Sequence, residues 1–369
     1  MQHALAAPLA LLVACAASCC ASEETFTVRS PASEAPPPAA PLAPPLVRAL
    51  HFGDFGATTC QQGAVAGGLA AEVRRAPVNL ALAVGDKLYD CGPSLDVPGA
   101  GACSFAADGA TVAEGFAPAP DASFARQHEE PLEGLAGIPV HLALGNHDVE
   151  VRGSCSPADR APDEASRLKA CLEVAHRSEL WSMPGRHYAV DAGRARFIVV
   201  DTNAVVGSYG GFDVDGEVAF VAEAASAERC PPEKACFLVG HHPPASAGSH
   251  GGNVTPDYLA RMERVIAAGG GRIRAWLAGH DHDLQHLRTA AGLDVFVSGN
   301  AARARPDERF QDVSAPGAAV LFGSVRWGHG VVEVGADGWS YRFSAHDGKP
   351  LHCCVARGAG PCEPAACAR

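Results

Sequence analysis

Short apolar runs alternate with longer amphipathic stretches from residue 46 onward. This alternation is typical of strand–helix–strand units, and it predicts a largely parallel sheet with helices on its faces. Residues 317–351 instead alternate apolar with polar positions, which indicates antiparallel strands that close the domain. The predicted strands are 46–52, 78–84, 140–144, 196–200, 237–239, 273–277 and 293–297, and the predicted helices are 59–75, 122–135, 164–179, 216–227 and 256–268.

Two internal segments and both ends of the chain depart from this pattern. Segments 92–120 and 153–162 are rich in Gly, Pro, Ala and Asp, and we interpret them as surface insertions. Residues 4–17 form an apolar run of signal-peptide length, which predicts an exported protein with a signal peptide at 1–22. Seven prolines within 30–45 predict a disordered linker over 23–45. The folded domain is then expected at 46–352, followed by a cysteine-rich tail at 353–369.

The sequence of the signal peptide does not decide how it is processed. Leu12-Val13-Ala14-Cys15 resembles a lipoprotein box, in which the cysteine would be acylated after cleavage. Cys19 or Cys20 could serve instead, and cleavage without lipid is the third alternative. The expected location is therefore secreted, periplasmic or cell-surface.

The amino-acid composition and net charge limit the kinds of molecule that this protein is expected to bind. The 369 residues carry a net charge of −12 and a mean hydropathy of +0.03, an ordinary globular balance. This charge argues against a protein drawn to nucleic acid or an anionic membrane by its overall field. We expect a monomer that meets a membrane only through its leader or a lipid anchor.

The fourteen cysteines indicate an oxidising compartment. Three lie in the leader and eleven follow it, and their spacing does not match a zinc finger. Disulfides are the better interpretation. Since eleven is odd, either one thiol stays free or a leader cysteine survives, and the pairing is left open.

Five predicted strands end in a glycine followed by side chains that can bind a metal ion. Each motif alone is most often an ordinary turn, but ligands in open α/β sheets bind just beyond the carboxyl ends of strands. The motifs are Gly53-Asp54-Phe55-Gly56, Gly85-Asp86-Lys87-Leu88-Tyr89, Gly145-Asn146-His147-Asp148, Gly240-His241-His242-Pro243-Pro244 and Gly279-His280-Asp281-His282. Carboxylates and imidazoles crowded at one edge would be costly without a cation. The mixture of nitrogen and oxygen donors suits iron, manganese or zinc.

In this order the five motifs resemble those of purple acid phosphatases, which are calcineurin-like metallophosphoesterases. The compact animal-type, tartrate-resistant branch is the most similar, because segments 181–188 and 279–285 also resemble it. The resemblance covers residues 46–352. It implies an α/β (α+β) fold, a four-layer α/β/β/α sandwich with mixed sheets.

The resemblance also implies a binuclear metal centre. Asp54, Asp86, Tyr89 and His282 would bind Fe(III), and Asp86 would bridge to a second site of Asn146, His241 and His280 that takes Fe(II), Zn or Mn. Most relatives place a histidine two residues after the first aspartate. Here that position is Gly56, so the Tyr89 phenolate would supply the missing ligand and a purple colour.

The implied activity is hydrolysis of phosphate monoesters by attack of a metal-bound hydroxide. His147 and His250 would bind phosphate or protonate the leaving group, which predicts higher activity below neutral pH. Small phosphoesters or phosphoproteins are the expected substrates. Two alternatives stay open: a phosphodiesterase or nucleotide phosphohydrolase with the same metal site, and a surface protein that binds phospho-ligands without catalysis.

Overall fold

The computed structural model describes residues 27–29, 40–44, 46–305, 310 and 313–367. The predicted signal peptide and the lipidation candidates Cys15, Cys19 and Cys20 lie outside these residues, as does most of the predicted linker. No helix in the described ranges is long and apolar enough to cross a membrane.

Two mixed sheets form the centre of the described structure, and together they confirm the predicted fold class. Four neighbouring strands of the eight-stranded sheet run parallel: Ala195–Val199, Ala235–Val239, Ile273–Ala278 and Asp294–Ser298. The strands of this sheet, in spatial order, are β1 (Thr27–Arg29), β11 (Ala319–Ser324), β9 (Leu284–Arg288), β10 (Asp294–Ser298), β8 (Ile273–Ala278), β7 (Ala235–Val239), β6 (Ala195–Val199) and β5 (Tyr188–Ala192).

The second sheet has seven strands. Three neighbouring strands, Val47–Phe52, Leu80–Ala83 and Val140–Leu142, are parallel, and the others pair antiparallel. Its order is β15 (Glu363–Ala365), β14 (Pro350–Arg357), β13 (Gly338–Ala345), β12 (Gly328–Val334), β2 (Val47–Phe52), β3 (Leu80–Ala83) and β4 (Val140–Leu142). The alternation alone predicted one largely parallel sheet, whereas the structure has two mixed sheets. Alternation predicts the type of each element, but strand partners depend on contacts between distant residues.

Six α-helices cover the sheets: α1 (Cys60–Arg75), α2 (Ala122–Phe124), α3 (Pro162–Ala175), α4 (Thr202–Val206), α5 (Val214–Ala224) and α6 (Pro256–Ala268), counted over the described residues. Local signals define the ends of α6, because Pro256 occupies the first turn and the Thr255 side chain accepts the amide of Tyr258. The predicted helix 122–135 is instead interrupted. Pro131 has no backbone N–H and lies between two short helical turns, 125–129 and 133–135.

Strand β6 illustrates how the layers arise. Phe197 and Val199 pack into the core that both sheets share, whereas Ile198 packs on the opposite face with Val221 of α5 and Met262 of α6. Successive side chains of a strand point to opposite faces, so one strand serves two cores. Helix α1 contributes Val65 and Leu69 to the first core and contacts β12 of the second sheet.

The sheets extend past both predicted ends of the domain. Thr27–Arg29 pairs antiparallel with β11, although these residues belong to the predicted linker. Ala43 accepts the amide of Ala336 and donates its own amide to Asp337. Cys353 and Cys354 of the predicted tail lie within β14. Proline content and cysteine content therefore did not mark where strand pairing stops.

Disulfides connect the insertions to the body. Cys91 pairs with Cys155, and Cys103 pairs with Cys171 of α3, so both predicted insertions are tied down. The other described pairs are Cys230–Cys236, Cys353–Cys367 and Cys354–Cys362, and Cys60 is disulfide-bonded as well. This number of disulfides fits an extracellular protein.

Candidate metal centre

The strand-end motifs of the two sheets meet at one edge. Gly53 donates its amide to the Ser298 carbonyl, Asp54 donates to Gly85, and Gly279 donates to His241, so the turns are hydrogen-bonded to one another. Asp54, Asp86 and His280 have φ angles of 57°, 53° and 74°, a conformation that non-glycine residues rarely adopt. Such strained positions are frequent at functional sites.

The glycines that precede the ligand candidates allow this close approach. A Cβ on Gly145 would lie 2.2 Å from Asp86 Oδ1, and one on Gly85 would lie 2.4 Å from His241 Nδ1. Gly85 also has a φ of 96°, which favours glycine. The repeated glycine therefore leaves room for a neighbouring ligand side chain.

One cluster of the site is rich in oxygen. The Tyr89 hydroxyl donates to Asp54 Oδ1 at 3.1 Å and lies 3.3 Å from His282 Nε2. His282 Nε2 is also 3.3 Å from Asp54 Oδ1. Three of the four residues predicted to bind Fe(III) are thus in mutual contact: Asp54, Tyr89 and His282.

A second cluster is rich in nitrogen. Asn146 Oδ1 lies 3.0 Å from His241 Nε2 and 3.0 Å from His280 Nδ1, and these two ring nitrogens are 3.3 Å apart. His241 donates its Nδ1–H to the Val84 carbonyl at 2.9 Å, which leaves Nε2 to face the cluster. The three residues predicted for the second metal therefore converge as well.

Asp86 lies between the two clusters. Its Oδ1 is 3.4 Å from His241 Nε2 in the nitrogen-rich cluster. Ligand atoms of Asp86, Asp54 and His282 all lie within 4.8 Å of one another. This placement is the one that a bridging carboxylate requires.

The electrostatics of this edge are those of a cation site. Burial, together with the neighbouring Asp86 carboxylate, raises the pKa of Asp54 well above its usual value. Burial also raises the pKa of the Tyr89 phenol, and it lowers the pKa of His241 to about 3 and that of His282 to about 4. Neutral imidazoles, a phenol and buried carboxylates that share one edge fit a bound metal pair, whose positive charge stabilises the ionised oxygens.

The imidazole of His242 has hydrogen-bond partners that differ from those of His241, although the two ring centroids lie 5.0 Å apart. Its Nδ1 lies 2.8 Å from the Thr202 hydroxyl of α4, and its backbone amide donates to the same oxygen. The resemblance implied His241 as the metal ligand. The structure places His241, not His242, against Asn146.

The two predicted phosphate-binding histidines lie next to the clusters. His147 donates its Nδ1–H to the Asp90 carbonyl at 2.8 Å, and its ring centroid is 4.7 Å from that of Tyr89. His250 donates its Nδ1–H to the His280 carbonyl at 2.9 Å and stacks on the His280 ring at 4.2 Å. Both are partly exposed.

Asp148 belongs to one of the five strand-end motifs whose side chains can bind a metal ion, and the structure gives it a different role. Its fully buried carboxylate accepts the backbone amides of Asp86, Lys87 and Gly145 and pairs with the Lys87 ammonium at 2.5 Å. Glu173 lies 2.9 Å from the same ammonium. Asp148 therefore holds the turns that present the ligands.

Two arginines at this edge were missed. The Arg303 guanidinium carbon lies 3.9 Å from the Tyr89 ring centroid, and Arg305 Nη2 lies 3.0 Å from His250 Nε2. The available signal was the Arg-Ala-Arg sequence that follows the strand 293–297. It was weak, because Gly299-Asn300 ends this strand and the first arginine follows only three residues later.

The chain is similar in sequence to known phosphoesterases. Residues 47–284, which include all seven ligand candidates, match the calcineurin-like phosphoesterase family. Tartrate-resistant acid phosphatase type 5 of Sus scrofa is 21% identical over 281 residues, which cover 69% of each chain. Purple acid phosphatase 4 of Arabidopsis thaliana is 26% identical over 244 residues, which cover 62% of this chain and 59% of the plant protein.

Solved structures share the fold at low identity. GAP50, the anchor in the inner membrane complex of Plasmodium, superposes with a TM-score of 0.57 at 15% identity, covering 85% of this chain and 89% of that one. The purple acid phosphatase PPD1 from yellow lupin seeds gives 0.54 at 11% identity, covering 84% and 53%. With its motifs, its two sheets and a family match over more than half its length, this chain belongs to the calcineurin-like phosphoesterases, hydrolases that use a binuclear metal centre.

Proposed function

We propose that this protein is an acid phosphatase that hydrolyses phosphate monoesters at a binuclear metal centre. Fe(III) would be held by Asp54, Asp86, Tyr89 and His282, and Fe(II), Zn or Mn would be held by Asp86, Asn146, His241 and His280. The observation that carries the proposal is the contact of Tyr89 with both Asp54 and His282, at 3.1 and 3.3 Å. A phenol oxygen in that position favours a hard trivalent cation.

The chemistry follows from the ligand set. When bound, the metal pair supplies polarisation of the phosphoryl oxygens and a water nucleophile at acidic pH. The chain itself keeps the ligand oxygens buried, so that charge stabilisation acts in a region of low dielectric. Asp148 and Lys87 keep the Asp86 and Gly145 turns in register.

His147 is the better candidate for the proton donor to the leaving group. Its Nδ1–H is committed to the Asp90 carbonyl, which orients the ring and leaves Nε2 to reach a substrate. His250 differs, because the guanidinium of Arg305 donates to its Nε2 and the His280 carbonyl accepts from its Nδ1. We therefore assign the proton transfer to His147 and a positioning role to His250.

The test combines metal analysis with two substrates. Purified protein should contain two metals per chain, absorb in the visible range and turn over p-nitrophenyl phosphate faster than bis(p-nitrophenyl) phosphate. Asp86→Asn should lose both metals and nearly all activity. Asp215→Asn is the matched control, since Asp215 forms an exposed ion pair with Arg264 on the far helices.

Three results would count against the proposal. Faster cleavage of the diester would favour the phosphodiesterase alternative. Two bound metals without hydrolysis of any phosphoester would favour a non-catalytic protein that binds phospho-ligands. A colourless protein with iron bound would contradict the role of Tyr89.

We also propose that the enzyme is exported and acts on small phosphoesters or exposed phosphoproteins. The five described disulfides support an oxidising compartment. The intact mass of the mature protein from its native membrane and culture fractions tests this. An unprocessed N-terminus would contradict export, and an added diacylglycerol would identify a lipoprotein.

A further inference from the structure

A second group of metal-binding side chains joins the two sheets, and none of its members belongs to the candidate metal centre. His286 lies on β9 of the eight-stranded sheet. His352 and Cys354 lie two residues apart on β14 of the seven-stranded sheet, so their side chains share one face. His286 Nδ1 is 2.9 Å from His352 Nε2, and one ligand atom from each of the three residues lies within 4.8 Å of the other two.

The other ring nitrogen of His286 has a carboxylate partner. Asp294 Oδ1 lies 3.2 Å from His286 Nε2, and the same carboxylate accepts Arg288 Nε at 2.9 Å and the Cys362 amide at 2.6 Å. An acceptor at Nε2 places the ring proton there, which leaves the lone pair of Nδ1 directed toward His352. Histidines that bind zinc in proteins commonly have this carboxylate partner on their second nitrogen.

Packing holds both imidazoles in place. The His286 ring is fully buried and stacks on Phe296 with the ring centroids 4.3 Å apart. The His352 ring stacks on Phe322 at 4.8 Å. Side chains that are already ordered lose little conformational entropy when they bind a ligand, so these two rings are prepared for a metal ion.

The sulfur atom of this group has two chemical states. In the structure Cys354 forms a disulfide with Cys362. A dithiol that reduces this bond would leave two thiols beside the two imidazoles. The thiolate is the form of cysteine that binds metals, and two thiolates with two imidazoles are a ligand set of tetrahedral structural zinc sites.

We propose that reduction of the Cys354–Cys362 disulfide converts this group into a zinc site, with His286, His352 and the two cysteines as ligands. The dithiol gives two electrons and two protons to the sulfur–sulfur bond and itself becomes a disulfide. Zn(II) then displaces one proton from each thiol to the solvent. Zinc would thereby connect β9 with β14 in the reduced protein. This inference does not depend on the proposed phosphatase activity.

The first experiment uses Cys362→Ser, which leaves the Cys354 thiol free and the other disulfides unchanged, as peptide mapping can check. Loaded with Co(II), this variant should bind one more metal ion per chain than the wild-type protein and show a sulfur-to-cobalt charge-transfer band. The candidate metal centre cannot give this band, because none of its seven ligand candidates is a cysteine. Cys367→Ser is the matched control. It frees Cys353, which points to the opposite face of β14 from Cys354, and should give no band.

Histidine variants in the Cys362→Ser protein test the other ligands. His352→Gln and His286→Ala should each weaken Co(II) binding, measured by titration of the charge-transfer band, at least tenfold. His176→Ala, which removes a histidine paired with Glu129, should leave the affinity unchanged. A band of equal strength and affinity in His352→Gln would overturn the inference.

The wild-type protein provides a test without any substitution. After treatment with a dithiol and removal of the reductant, alkylation of Cys354 by iodoacetamide should be at least tenfold slower with zinc than with magnesium. Alkylation of Cys230 and Cys236, which form a separate disulfide, should be equally fast with either metal. Equal rates at Cys354, or no extra Co(II) in Cys362→Ser, would overturn the inference. A protein without phosphatase activity would contradict the proposed function and leave both readouts valid.

Discussion

The oxygen-rich cluster of Asp54, Tyr89 and His282 and the nitrogen-rich cluster of Asn146, His241 and His280 are built from similar turns but offer different chemistry. The first presents a phenol and a carboxylate, and the second presents two imidazoles and an amide. Hard trivalent ions prefer the former set, and divalent ions such as zinc accept the latter. The difference teaches that one edge can offer two unlike sets of donor atoms because each cluster is built from its own strand ends, with Asp86 between them.

The largest expected effect comes from removing one cluster alone. His241→Ala should lose the divalent metal and reduce kcat by about a thousandfold, since several kcal/mol of charge stabilisation disappear. The visible absorption from Tyr89 should persist. Metal analysis and an absorption spectrum of the same sample check both statements, and simultaneous loss of colour would show that the clusters are not separable. His176→Ala, which removes a histidine paired with Glu129 away from the site, is the control.

The next largest effect is expected from the buried ion pairs of Lys87, which hold the turns that present the ligands of both clusters. Lys87→Met would leave Asp148 and Glu173 as buried carboxylates without their cation, which should cost about 3–5 kcal/mol of unfolding free energy. Urea unfolding of the metal-loaded protein measures this. Lys234→Met, at a partly exposed pair with Asp191, should cost less than about 1 kcal/mol. Equal losses for the two variants would contradict the supporting role of Lys87.

A smaller effect is expected from the phenol of the oxygen-rich cluster. Tyr89→Phe should remove the visible absorption and lower kcat about tenfold, because one ligand of several is lost. Tyr258→Phe, which loses a hydrogen bond to the Pro243 carbonyl, should keep the colour. If Tyr89→Phe kept the visible absorption, the Tyr89 phenol would not be its source.

The smallest effect concerns a histidine outside both clusters. His128 is buried against Phe55 and Trp181, and burial lowers its pKa to about 3. A histidine in the unfolded chain takes up a proton near pH 6.5, whereas native His128 stays neutral down to about pH 3. The unfolded state therefore binds more protons than the native state between these pH values, and the free energy of unfolding falls as the pH drops from about 6.5 toward 3. His128→Leu should flatten this slope by up to about 1.4 kcal/mol per pH unit. Urea unfolding between pH 5 and 7 measures it, and an unchanged slope would show that His128 does not contribute.

Some parts of the site could be predicted from the sequence because they depend only on short stretches of the chain. The glycine and ligand pairs at Asp54, Asp86 and His241 follow apolar runs directly, so their position at strand ends is a local property. Helix α6 was predicted at 256–268, and the structure gives it the same bounds, with Thr255 and Pro256 at its start. The resemblance then supplied the specific role of Tyr89, which spacing alone could not.

Other features required the folded chain. Asp148 is one residue from His147, yet its carboxylate turns inward to Lys87 and three amides, and the order of residues does not indicate this direction. The cysteine pairs likewise join positions up to 68 residues apart. The contact of Arg305 with His250 is likewise seen only in the folded chain.

By itself the sequence determined the element types, the order of the strand-end motifs and the donor chemistry, since periodicity and turn residues act over a few neighbouring positions. The tertiary structure decided that the strands form two sheets and which side chains meet across them. These depend on packing between segments that are distant along the chain, because the free energy of burial and pairing is set by all partners together.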